Sequence, residues 1–139
     1  MITSKLFLVS DETSVNLDNE DILSINLLDD VFEKDFPVLL DSVIIVGFLT
    51  KEDEDPDQAI LWLTIYNNNI SLKKQSIRAD FKGKSIYGLI IHAREISIIE
   101  EGSLDFVLSN QMGDEMDRYA ISVHHGELLH EIETPVPPM

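Results

Sequence analysis

The sequence has no cysteine, which excludes disulfides, thiolate metal sites and cysteine nucleophiles. It has no apolar run long enough to cross a bilayer. Residues 1–12 carry one lysine and the short apolar patch Leu6-Phe7-Leu8-Val9, without the apolar stretch and small-residue cleavage site of a secretory signal. A soluble, cytoplasmic protein with no membrane partner is expected. Basic residues are scarce, 10 against 26 acidic ones, for a formal charge of −16. Such a surface repels nucleic acid and anionic membranes. It reads either as plain solvation or as a surface that meets a basic partner.

Catalytic signatures are missing too. There is no Gly-x-Ser-x-Gly elbow, no glycine-rich phosphate loop and no His-Glu-x-x-His pair. Heptads and internal repeats are absent. With carboxylates spread along the whole chain, a pair of them carries no information about glycoside chemistry. No cofactor is implied, and the expectation is a non-enzymatic protein.

What is present is a rhythm of two. Leu104, Phe106 and Leu108 alternate with Ser103, Asp105 and Ser109; Tyr119, Ile121 and Val123 alternate with Arg118, Ser122 and His124. Alternation marks half-buried strands, because successive side chains leave opposite faces of a sheet. With the apolar run at residues 86–91, these segments predict an antiparallel three-strand meander at the centre of a sheet. Further strands are expected at residues 5–10, 22–28, 38–49, 59–66 and 70–76, with a short one at 15–17 and a last one at 127–133. In the first, Leu6 and Leu8 face one way, Phe7 and Val9 the other. Gly47 inside the long apolar run signals a bulge or the close approach of another backbone. Asn67-Asn68-Asn69 is a hairpin turn, since asparagine tolerates positive φ. Ile70 and Leu72 should then face inward. Residues 78–84 read as a loop. Residues 29–36 are ambiguous: Val31, Phe32 and Phe36 fit one helical turn capped by Asp29 or Asp30, ending before Pro37.

A chain of 139 residues with short strands and frequent turns predicts one all-β domain, an antiparallel β-sandwich over residues 1–133. A proline-rich tail follows at 134–139. An up-and-down barrel is the structural rival. Several features are similar to a family of small uncharacterised bacterial proteins with an immunoglobulin-like sandwich: an early strand ending at Asp11, Asn16-Leu17, Asp29-Asp30-Val31-Phe32, Phe36-Pro37 before a long strand, a Trp62-containing hairpin strand, and Glu101-Gly102-Ser103-Leu104-Asp105-Phe106. The resemblance covers Lys5 to Val123. It implies an immunoglobulin-like fold and no particular activity.

Four groups of residues are candidate sites. His124, His125 and His130, with Glu127 and Glu131, are ligand types for zinc or nickel. Neighbouring histidines on a strand point apart, however, and exposed polar residues at a strand end are the plainer reading. Asp53, Asp55 and Asp57 alternate with Glu52 and Glu54 in KEDEDPDQ, five carboxylates in eight residues. Calcium is conceivable there, but the EF-hand pattern fails, with Gln58 at its glycine position and Thr64 at its glutamate position. A solvated loop is the alternative.

Lys73, Lys74, Arg78, Lys82 and Lys84 hold half of all basic charge, leaving 25 acids and 5 bases elsewhere. They read as blunting of an edge strand, as a contact to an acidic surface such as Glu52, Asp53, Glu54, Asp55 and Asp57 of another copy, or as an anion site. Trp62 and Tyr66 share a strand face, which suggests core packing or else a carbohydrate or peptide platform.

The function expected is protein–protein contact, with a partner protein or in a homo-oligomer, through the basic stretch meeting an acidic surface. An acidic imitator of nucleic acid and a metal-binding domain or enzyme are the alternatives.

Overall fold

The computed structural model describes residues 1–11 and 27–126, and every regular element in them is a strand. The strands are β1 (Thr3–Ser10), β2 (Asp30–Glu33), β3 (Val38–Thr50), β4 (Gln58–Asn67), β5 (Ile70–Asp80), β6 (Ile86–Ile98), β7 (Gly102–Ser109) and β8 (Glu115–His125). They form a three-stranded sheet in the order β1-β3-β6 and a five-stranded sheet in the order β2-β8-β7-β4-β5. Among the described residues the strands fall into two separate sheets packed together, a sandwich-like arrangement and not one closed up-and-down barrel. Among the described residues there is no helix long and apolar enough to cross a membrane.

The alternation in the sequence sorts side chains as it should. Leu61, Leu63 and Ile65 from β4, Leu104, Phe106 and Leu108 from β7, and Ile121 and Val123 from β8 are buried in one cluster. Opposite them lie Phe7, Val9, Val43, Ile45, Leu49, Leu89 and Ile91 from the other sheet. Removing this apolar surface from water is the main force holding the two sheets together. Gly47 lies where β1 crosses closest: a Cβ there would stand 2.8 Å from the Leu6 carbonyl oxygen, and β1 shifts register between Ser4 and Leu6.

In β3 and β6 the rhythm of two slips in both strands together. Inward positions on β3 run Val38, Leu40, then Val43, Ile45; on β6 they run Leu89, Ile91, Ala93, then Ile96, Ile98. The slips face each other, between the rungs Leu40–Ile96 and Ser42–Arg94, and Glu95 there has a positive φ of 56°. Both strands change phase at one rung, so their apolar sets stay on the same side.

Several expectations are corrected. The helical turn at 29–36 is instead strand β2, which pairs parallel with β8, so the five-stranded sheet is mixed and not purely antiparallel. Phe32 stacks on His124 with ring centroids 4.5 Å apart, and Val31 packs against the core. This packing decides the conformation where propensity was ambiguous. The meander spanning 86–124 is divided between the sheets: β6 pairs with β3, while β7 and β8 pair in the other sheet. Asn67 Oδ1 accepts the amides of Ile99 and Glu100, at 2.8 and 3.0 Å, so that the turn satisfies its donors without a hairpin ladder.

The loop at 78–84 shrinks, because β5 continues to Asp80. Ile70 is 51% exposed, displaced outward beside the register shift between Ile65 and Tyr66. The expected strands at 15–17 and 127–133, most of that at 22–28, and the tail at 134–139 lie outside the described residues.

Candidate basic edge

Strand β5 is the outer strand of the five-stranded sheet, so Lys73, Lys74 and Arg78 stand on an edge, where charge discourages pairing with another chain. The five basic residues do not act as one group. Lys73 Nζ donates to the Arg94 carbonyl at 2.8 Å, bridging to the other sheet at its phase slip. Lys74 Nζ lies 4.7 Å from the centroid of the Trp62 ring, a cation–π contact. Arg78, Lys82 and Lys84 have no ion pair with any side chain among the described residues. Together with Asp80, Phe81, Ile86, Tyr87 and Gly88 they line a groove of about 500 Å³ where β5 turns into β6. Asp80 is occupied by the turn itself, accepting the Lys82 amide at 3.0 Å.

The acidic loop sits beside this groove in the same molecule. Asp57 accepts the Gly83 amide at 2.9 Å through Oδ2 and pairs with Lys51 Nζ at 3.3 Å through Oδ1, while its carbonyl accepts the Phe81 amide at 2.8 Å. Asp55 accepts the Glu52 amide at 2.8 Å and pairs with the terminal ammonium of Met1 at 2.6 Å. That ammonium is the main reason the Asp55 carboxyl is held below the usual range. Glu52 also pairs with the ammonium, at 3.0 Å. Asp57 and Asp55 thus work separately in shaping the loop. Asp53 and Glu54 make no ion pair with the described residues.

The histidines separate as strand geometry requires. His124 Nε2 meets Asp30 Oδ1 at 2.7 Å, and the His125 ring is tilted against Phe36 at 6.1 Å. His130 lies outside the described residues, as do Glu127 and Glu131. Among the described residues no three histidine, aspartate or glutamate side chains converge as a metal site would need.

Trp62 corrects the core-packing expectation. It is half-buried on the outer face of the five-stranded sheet, while its neighbours Leu61 and Leu63 enter the core. Tyr66 shares that outer face. Strand alternation gave the two residues a common face but could not say which face was outward.

Sequence reasoning missed two features. Asn67 is fully buried inside β4 and not part of the turn; the turn residues are Asn68 and Asn69, at φ 51° and 69°. Asp105 and Glu115 both clamp Arg118, with Glu115 Oε1 2.8 Å from Nη2. The hydrogen bond from Arg118 holds the Glu115 carboxyl below its usual range. For the pair of Asp105 in β7 with Arg118 in β8, opposite charge in neighbouring strands was the available signal.

No protein-family model matches the chain, and no curated protein matches it in sequence.

Proposed function

We propose that this domain is a non-enzymatic interaction module that offers a basic edge, on an otherwise acidic body, to an acidic protein surface of a partner or of a second copy. One observation carries the reading: Arg78, Lys82 and Lys84 line a groove of about 500 Å³ without an ion-pair partner among the described residues, in a chain of charge −16. Cations left unneutralised amid so much carboxylate favour an incoming anionic surface and steer its approach.

The immunoglobulin-like assignment belongs to the same proposal and is supported by strand order. Such sandwiches place strands A, B and E in one sheet and C, F and G in the other, with C′ beside C. Here β1, β3 and β6 take the first set of places, β4, β7 and β8 the second, and β5 that of C′.

The test is sedimentation of the domain, alone and with a short polyglutamate chain, at low and at physiological salt. Association that weakens as salt screens the charges supports the reading. Association indifferent to salt, or none at low salt, contradicts it.

A further inference from the structure

Strand β4 is longer than its ladder with β7. The two pair from Trp62–Ser109 to Asn67–Leu104, and β7 then ends in the turn that begins at Asn110. Residues 58–61 keep β5 on one side and, among the described residues, have no strand on the other. The notch is a hollow of about 540 Å³, a size that small-molecule sites have. Its apolar lining runs from Leu61, Ile2 and Met116, which pack on the core, to the exposed Ile60 and Met112. Ser4 also lines it, and its Oγ donates to Asp117 at 2.8 Å, which ties the start of β1 to β8. Two carboxylates line the hollow, and each already faces a cation: Asp55 the Met1 ammonium, Glu115 the Arg118 guanidinium.

A second hollow, of about 260 Å³, opens beside the first. Gln58, Ala59, Ile60 and Gln111 line both. The smaller one adds Arg78, which stands opposite Ile60 in the β4–β5 ladder and so shares its outward face. Arg78 is exposed and has no ion pair among the described residues. Asp80, next along the same face of β5, accepts the Lys82 amide at 3.0 Å.

We propose that the two hollows form one binding site for an apolar carboxylate. The apolar body takes the larger hollow, and the carboxylate takes the Arg78 guanidinium, which can grip both its oxygens. Gln58 and Gln111 carry uncharged N–H donors beside it. A free amphiphilic acid and the terminal residue of an apolar peptide share this chemistry. Burial of the apolar body has to drive binding, because a chain of charge −16 repels a bare anion. The inference goes beyond the basic-edge reading and shares only Arg78 with it.

The probes are octanoate, octanol and acetate, together with a short apolar peptide ending in leucine as the free acid or as the amide. Binding is followed by the amide resonances of the labelled domain. Octanoate should bind saturably and move Ile60, Gln111 and Met116, while octanol binds more weakly and acetate does not bind. Arg78→Gln should lower octanoate affinity about tenfold or more and leave octanol affinity unchanged. Ile60→Gln should weaken both, with the melting temperature retained. If the peptide acid binds more tightly than octanoate and its amide does not, the ligand is a chain end; if octanoate binds and neither peptide does, it is a free acid.

Octanol binding as tightly as octanoate, or octanoate indifferent to Arg78→Gln, overturns the carboxylate assignment. Acetate binding as well as octanoate overturns the apolar hollow. Shifts confined to residues 82–84 move the carboxylate to the basic groove and overturn the site, as does the absence of saturable binding by octanoate and both peptides.

Discussion

Asn68 and Gly102 fix each other in place: a Cβ at position 102 would stand 2.1 Å from Asn68 Oδ1. That oxygen accepts the Ser103 amide at 2.8 Å, and the same side chain donates to the Glu101 carbonyl at 2.8 Å and to Glu100 Oε1 at 3.0 Å. The hairpin between β4 and β5 is thereby tied to the crossover from β6 to β7. Gly102 has a φ of 134°, where a side chain is strained in any case. Gly102→Ala should therefore cost about 2 kcal/mol or more, through strain and lost hydrogen bonds. Gly113→Ala, at positive φ but in open space, should cost only about 1 kcal/mol. Urea denaturation of the two variants checks the order.

Asn67 should matter still more. Its Nδ2 donates to the carbonyls of Glu100 and Ser103, at 3.2 and 3.1 Å, while its Oδ1 accepts the two amides of the crossover. Asn67→Ala strands buried backbone groups, at a cost of about 3 kcal/mol. A chemical denaturation midpoint unchanged from wild type would contradict this.

Lys73 and Lys82 should separate stability from binding. Lys73→Met removes the bond to the Arg94 carbonyl and should lower stability by about 1 kcal/mol while leaving affinity for an acidic polypeptide in place. Lys82→Met should do the reverse. Melting temperature and binding, measured on both variants, check the pair.

Two groups predict the pH dependence. Burial, then the hydrogen bond to Asp29, pushes the Tyr119 hydroxyl up to about 12. The unfolded chain ionises this group near 10, so its contribution is complete below about pH 10 and is lost as pH rises toward 12. Glu115 is shifted the other way: its contribution is present above the ordinary glutamate range and is lost as pH falls through its depressed folded value. Tyr119→Phe should flatten the alkaline limb of a stability–pH curve, and Glu115→Gln the acid limb.

How far the sequence could be read follows from the range of each signal. Alternation is local, so it found β7, β8 and the inward sets of β4. Gly47 announced a close backbone, and Leu6 supplies it. Partner choice between strands is not local. Nothing near Ile99 says that the chain leaves one sheet for the other, and the side chain that receives the amides of the crossing, Asn67, is 32 residues away. Likewise β2 is a strand because β8 lies beside it. At the basic edge, composition located the five cations, but only the folded backbone separates Lys73 and Lys74, which are engaged, from Arg78, Lys82 and Lys84.

The most direct test is the binding of a fluorescent polyglutamate chain to the wild type and to R78E/K82E/K84E at low salt. Saturable binding to the wild type, weakened at least tenfold in the variant while the melting temperature is retained, is the predicted result. Equal binding by both proteins, or none by the wild type, would contradict the basic edge as the contact surface.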